Sequence, residues 1–188
     1  MDEDARMAAK KTGLGKTQKT VTAVAEISAL DKASTTNADA LVGKQAPAID
    51  VPVAGGGRFR LEELRGKTVV LYFYPRDLTP GCTLEAQDFE AARALFAKRD
   101  AVILGVSRDT EVTHAKFKEK YGLGFALLSD VDGAIVRDYG VWQEKSLYGK
   151  KSLGIVRTTV VIKPDGVVKH VFSKVKVAGH VDAVLAML

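Results

Sequence analysis

The chain has 188 residues, 46% of them hydrophobic and 27% charged, which is enough for one well-buried domain and would make two crowded. Mean hydropathy is near zero, and no apolar run approaches the roughly 20 residues that a membrane-spanning helix needs. The net charge is +5, and its basic clusters could bind nucleic acid or steer anions, although a solvated lysine-rich face is the plainer reading; a single cysteine excludes an intrachain disulfide framework and fits a reducing compartment.

Residues 1–42 differ from the rest. They are rich in Ala, Thr and Lys and contain no aromatic residue. Val21, Val24, Ile27 and Leu30 recur every three residues, which predicts one short amphipathic helix within a mobile extension. Its stretch from Arg6 to Lys19 holds five basic residues and no acid. Gly13-Leu-Gly-Lys-Thr17 is not a phosphate loop, because the glycine required five residues before Gly15 is Lys10. The acidic start at Met1 lacks the apolar core of a secretory signal, so a cytoplasmic location is expected. A start at Met7 gives instead a basic, acid-poor leader that resembles a transit peptide. An organelle, or the nucleus by way of the basic segment, is therefore the alternative.

The compact domain is expected from Gly43 to Leu188. Ala48–Val53 alternates like a short strand, Gly55–Gly57 marks a turn, and Arg58–Leu61 leads into a helical turn at Glu62–Arg65. Thr68–Tyr74 is a continuous apolar and β-branched run, the pattern of a buried central strand. Residues 82–98 place Phe89, Ala92, Leu95 and Phe96 at helical spacing. Ala101–Ser107 reads as a second buried strand, Thr110–Tyr121 as a helix and Phe125–Ser129 as a third strand. Asp132-Gly133 turns into a short helix ending near Tyr139. Thr158–Ile162 and Val167–Phe172 are strands joined by the turn Lys163-Pro-Asp-Gly166, and Val181–Leu188 closes as a helix. Strands alternating with helices, then a hairpin, predict an α/β fold with a central sheet covered on both faces.

Cys82 stands between the first buried strand and the helix after it, in Tyr74-Pro-Arg-Asp-Leu-Thr-Pro-Gly-Cys-Thr-Leu-Glu85. A lone cysteine is more often a small core hydrophobe than a reactive group. A strand-to-helix turn is a poor place for a core residue, however, and a helix N-terminus offers unpaired N–H groups and partial positive charge to a thiolate. Thr79 brings a hydroxyl able to donate to the sulfur or to a bound oxygen. Pro75 and Pro80 restrict the loop, and Gly81 permits close backbone approach. An arginine from elsewhere would complete such a site.

Pro75-x-x-x-Thr79-x-x-Cys82 resembles the active-site signature of the peroxiredoxins, and the whole loop resembles the bacterioferritin-comigratory-protein or peroxiredoxin Q subfamily. The resemblance runs over about residues 43 to 188. It takes in Gly105–Asp109, Phe125–Asp130, Glu144–Lys151, Gly154–Gly166 and Lys174–His180 in order. It implies a thioredoxin-like fold with a mixed sheet, and thiol-dependent reduction of hydrogen peroxide and organic hydroperoxides. Cys82 is then the peroxidatic cysteine, Thr79 and Pro75 its loop partners, and Arg157 the active-site arginine. Pro75 would shield the sulfur from water, and Cys82 would pass through a sulfenic acid.

The chain departs from its family at the resolving cysteine. Gln87 stands five residues after Cys82, and Lys118 occupies the alternative place in the next long helix. A one-cysteine form follows, dependent on an external thiol such as thioredoxin, glutaredoxin or glutathione. The eight basic residues between Lys145 and Lys176, against the single acid Asp165, could steer such a reductant, although a solvated lysine-rich face is the plainer reading. A monomer or weak homodimer is expected, with no membrane partner.

The remaining conspicuous residues have plain readings. His114, His170 and His180 show no metal-ligand spacing. Trp142 and Tyr139 are expected to pack on the sheet, and Asp109 to serve as a turn or cap residue. No glycine-rich fingerprint calls for a nucleotide cofactor, and none is expected. Two other functions compete. A thioredoxin-fold disulfide reductase is disfavoured because Thr79 stands where Cys-x-x-Cys needs its first cysteine. A non-enzymatic binder whose basic extension contacts nucleic acid is weakened by sparse aromatic interleaving.

Overall fold

The structure, a computed structural model, describes residues 37–53, 57–147 and 150–188. The helix expected around Val21–Leu30, the basic stretch Arg6–Lys19 and the glycines at 55 and 56 lie outside the described residues.

Five strands form the central sheet: β3 (Thr68–Phe73), β4 (Ala101–Ser107), β5 (Ala126–Ser129), β8 (Thr158–Ile162) and β9 (Val168–Phe172). Their order is β5-β4-β3-β8-β9. β3, β4 and β5 run parallel, whereas β8 is antiparallel to both β3 and β9. The sheet is therefore mixed, as expected. The central strands β3 and β8 are buried along nearly their whole length because both of their faces are covered. A small hairpin, β1 (Asp50–Pro52) with β2 (Arg58–Arg60), precedes the sheet and is clamped by the Arg58–Asp50 ion pair at 2.7 Å.

Alternation along β3 sends Val69, Leu71 and Phe73 to one face and Val70 and Tyr72 to the other. The first face packs under the short helix α3 (Ala134–Asp138) through Ile135 and Val136, with Tyr139 and Trp142 in the same layer. The second carries α1 (Pro80–Ala97), α2 (Glu111–Tyr121) and α4 (His180–Ala186) through Phe89, Phe96, Phe117, Val181 and Val184. Tyr72 stacks on Phe89 at 4.7 Å and on Tyr74 at 5.3 Å between ring centres. This aromatic pile meets α1 midway along its length, through Phe89. Its partner across the strands is Gly105, where a Cβ would fall 2.8 Å from the Tyr72 ring and 2.7 Å from Leu127 Cδ2. Glycine there makes room for the tyrosine.

Three features differ from the sequence reading. Ala38 is buried in the first-face cluster, in a 3-10 turn (Ala38–Leu41) capped by Asn37, upstream of the expected start at Gly43. Helix α1 begins at Pro80 rather than at residue 82. A second hairpin, β6 (Trp142–Leu147) with β7 (Lys150–Ile155), was not expected at all. It forms a two-stranded sheet of its own, so it lacks the buried apolar run that marks a central strand.

Candidate active site

Strand β3 delivers the chain to one end of the sheet. Tyr74 N still donates to Val106 O at 3.1 Å, but Pro75 has no N–H and the ladder stops. A loop follows, and Pro80 starts α1 at a position where the missing N–H costs nothing. Cys82 thereby falls in the first turn, among backbone N–H groups that have no partner within the helix. The side chain is turned inward: Cys82 is 2% exposed and belongs to the second-face cluster.

Arg157 reaches the same end from another strand. The register of the sheet pairs Phe73 with Thr158, so the residue just before β8 arrives beside the start of α1. Its Nη2 lies 3.3 Å from Cys82 Sγ, and its Nη1 donates to Glu85 Oε2. Glu85 sits three residues after Cys82 and so on the same helix face. It is fully buried, and its Oε1 has no hydrogen-bond partner among the described residues. Burial pushes the Glu85 carboxyl up to about 7, against the opposing pull of Arg157.

Of the other expected site residues, Thr79 is the N-terminal flanking residue of α1 and donates its hydroxyl to the Arg76 carbonyl at 3.0 Å. Pro75 is exposed at the loop surface. Leu78, between them, is exposed and holds φ at +60°, a conformation that residues with a Cβ seldom adopt. Gln87 is exposed on α1, and Lys118 is partly buried on α2, where desolvation lowers its pKa.

The hairpin β6–β7 brings Lys145 into the neighbourhood. Burial and repulsion from Arg157 hold its pKa down, and Cys82 opposes them. A cavity of about 410 Å³ lies far from this site, at the opposite end of β3 and β8 between Ile49, Leu64, Val69 and Ile162. Among the described residues no group of three His, Cys, Asp or Glu side chains is placed to hold a metal. No helix among them is long and apolar enough to cross a membrane.

A family model described as AhpC/TSA matches residues 42–171. The chain belongs to the AhpC/TSA family. It is 46% identical over 147 residues to a putative peroxiredoxin Bcp of Coxiella burnetii, spanning 78% of this chain and 97% of that one. It is 47% identical over 152 residues to peroxiredoxin Bcp of Xanthomonas campestris pv. campestris, spanning 80% and 95%. Its structure matches that of the Xanthomonas campestris bacterioferritin comigratory protein, studied for alkyl peroxide reduction. The TM-score is 0.70 and the identity 47%, over 73% of this chain and 88% of that chain. The chain is thus a peroxiredoxin of the Bcp type with a thioredoxin-like α/β fold. It is a thiol-dependent peroxidase, acting on a peroxide with a thiol as reductant.

Two buried polar groups of this peroxiredoxin escaped the sequence reading. Glu85 carried a signal, since an acid at position 85 shares the helical face of Cys82, Ala86 and Phe89. The other is His114, which lies wholly buried against Asp77 with Nδ1 2.7 Å from Oδ2. Histidine spacing could not reveal it, because the partner is an aspartate in a distant loop. Of the two roles expected for Asp109, it takes the turn and not the cap: it lies in the bend after β4, Thr110 caps α2, and Asp109 Oδ2 accepts from Asp77 N at 2.8 Å.

Proposed function

We propose that Cys82 is the peroxidatic residue and that this chain reduces hydrogen peroxide and organic hydroperoxides through it. The observation that carries the reading is the approach of Arg157 Nη2 to Cys82 Sγ at 3.3 Å. A guanidinium at that distance stabilises negative sulfur and is placed to polarise a peroxide oxygen bound beside it. The thiolate attacks one peroxide oxygen in line. An S–O bond forms, the O–O bond breaks, and the departing oxygen takes a proton to leave as water or an alcohol. Sulfur loses two electrons and becomes a sulfenic acid, while the peroxide is reduced.

Arg157 and the free N–H groups of the first turn of α1 stabilise the charge on the breaking bond. Thr79 contributes by turning its hydroxyl from the Arg76 carbonyl to the bound peroxide. Pro75 forms part of the wall that limits water.

An external thiol then attacks Cys82, water leaves, and a mixed disulfide forms. A second thiol releases the Cys82 thiol and carries away the disulfide. Glutathione with glutaredoxin, or thioredoxin, fills this role, and the cation at Lys145 favours a reductant that carries carboxylates. A disulfide between two copies of Cys82 is disfavoured by the burial of the sulfur. We take the protein as a cytoplasmic monomer or weak homodimer.

The test is mass spectrometry of the full chain after hydrogen peroxide and then glutathione, alongside peroxide consumption by Cys82→Ser. A sulfenic acid and then a glutathione adduct at Cys82, with an inactive serine variant, are expected. Peroxide consumption by Cys82→Ser at the native rate would overturn the assignment.

A further inference from the structure

We propose that Asp77 and His114 form a positioning pair that holds the Cys82 loop closed, setting the balance between attack on peroxide and access of the reductant. The proposal rests on Cys82 being the reacting thiol.

Asp77 stands in the loop between β3 and α1, five residues before Cys82. Its side chain and that of His114 on α2 are both fully buried. His114 Nδ1 lies 2.7 Å from Asp77 Oδ2, and His114 Nε2 lies 3.2 Å from the Leu128 carbonyl oxygen. Both ring nitrogens thus face oxygen acceptors. Asp77 Oδ1 accepts from the Tyr74 hydroxyl at 2.7 Å, and Asp77 N donates to Asp109 Oδ2 at 2.8 Å. Asp109 is itself fixed: its Oδ2 accepts from Ser107 Oγ at 2.8 Å and its carbonyl from Ser129 Oγ at 2.6 Å. One loop residue is therefore fastened to the ends of β4 and β5 and to α2 together. Among the described residues none of these groups hydrogen-bonds to Cys82, Glu85 or Arg157, whose own bonds run among themselves.

A carboxylate and an imidazole buried side by side are a costly way to fill space, and apolar packing would serve stability as well. What the pair supplies is one defined loop geometry. Leu78, the next residue, keeps a positive φ that only its surroundings can impose, so the loop relaxes elsewhere once the fastening is lost. Relaxation displaces Thr79 and the first turn of α1. Closure aligns the sulfur for a small peroxide but leaves Cys82 2% exposed, out of reach of a larger thiol. Opening does the reverse. The pair therefore favours the first half-reaction at the expense of the second.

The experiment follows the two half-reactions separately by rapid mixing, on the full-length chain and its Asp77→Asn, His114→Gln and doubly substituted variants. The first is oxidation of the reduced protein by hydrogen peroxide. The second is reduction of the sulfenic acid by glutathione. Expected is a peroxide step slower by about 10- to 100-fold, the range for misplacement of reacting groups by about an ångström. The glutathione step should be unchanged or faster, and the double variant no slower than the worse single one, because both changes break one pair.

A peroxide step within twofold of native, equal losses in both steps, or losses that multiply in the double variant would each overturn the proposal. Should His114→Gln and Asp77→Asn fail to fold, Tyr74→Phe removes only the hydroxyl that holds Asp77. It should slow the peroxide step several-fold without slowing the glutathione step, and a native peroxide rate refutes the pair. An active Cys82→Ser would remove the site assignment and this proposal with it. An inactive Cys82→Ser beside a native-rate His114→Gln removes the pair alone.

Discussion

Glu85 lies one helical turn beyond Cys82 on α1, and both side chains converge on a single guanidinium, Nη1 of Arg157 for the carboxylate and Nη2 for the sulfur. The arrangement couples an acid that never meets solvent to the reacting group. Removing water from Glu85 disfavours its charged form more than Arg157 restores it, and the carboxyl is held near 7.

This shift makes a prediction about stability against pH. The folded-state pKa of about 7 is above the ordinary 4.5, so the folded chain holds the Glu85 proton over an interval where the unfolded chain has lost it. The contribution is fully present below about 4.5 and lost as pH rises through about 7, with a magnitude on the order of 3 kcal/mol. Asp130, raised to about 7 by burial despite donors from Ile135 N and Val136 N, acts in the same direction. His180, lowered to about 4 by burial and then by Arg157, acts oppositely between 4 and 6.5. Comparing native protein with Glu85→Gln cancels these other groups. Urea unfolding at pH 5 and pH 8 should show a smaller loss, or none, in the variant. Parallel losses in the two proteins would mean that Glu85 ionises normally.

Arg157→Lys keeps a positive charge and loses the fork. A single ammonium cannot serve both Cys82 and Glu85, and the contact with the developing oxyanion goes with it. Peroxide oxidation of Cys82 should fall about 100-fold, in the range reported for loss of one stabilising donor. Thermal unfolding should also move down, since Glu85 remains buried with a poorer partner. A rate within threefold of native would show that the guanidinium geometry is not needed.

The elements around Cys82 were legible because their signals are local. Thr68–Tyr74 is an unbroken apolar run, and Pro75, Pro80 and Gly81 punctuate the chain between it and α1. What stayed hidden depends on residues far apart in sequence. Glu85 shares the helical face of Cys82 and Phe89, but the reason for an acid there shows only once Arg157, 72 residues away, is brought beside it. Asp77 and His114 are 37 residues apart, and neither carries a local motif. The β6–β7 hairpin is rich in lysine and serine and, among the described residues, pairs only with itself, so no apolar alternation betrays it. Ala38 is too small and isolated in sequence to announce that it enters the core.

Thr79 separates a hydroxyl effect from a packing effect. Its Oγ1 donates to the Arg76 carbonyl at 3.0 Å, and the role proposed above requires that donor to turn toward substrate. Thr79→Ser keeps the hydroxyl and should retain most of the peroxide rate. Thr79→Val keeps the shape and should lose about 100-fold. Equal rates in the two variants would assign Thr79 to loop geometry alone.

Gln87→Cys tests whether α1 can open at its first turn. The new thiol would stand five residues after Cys82 on the same helix, where regular geometry separates the two Cα atoms by about 8.6 Å. A disulfide bridges no more than about 7 Å, so the bond forms only if this end of α1 unwinds. Peroxide should convert the variant to a species lighter than the reduced chain by two hydrogens. Later addition of glutathione should leave no adduct, whereas the native chain should carry one at Cys82. Far-UV circular dichroism should record a small loss of helix on oxidation, reversed by dithiothreitol. If the variant instead accumulates the same glutathione adduct as the native protein, the first turn stays wound. The external thiol would then have to reach Cys82 through the loop that Asp77 and His114 fasten, with α1 itself intact.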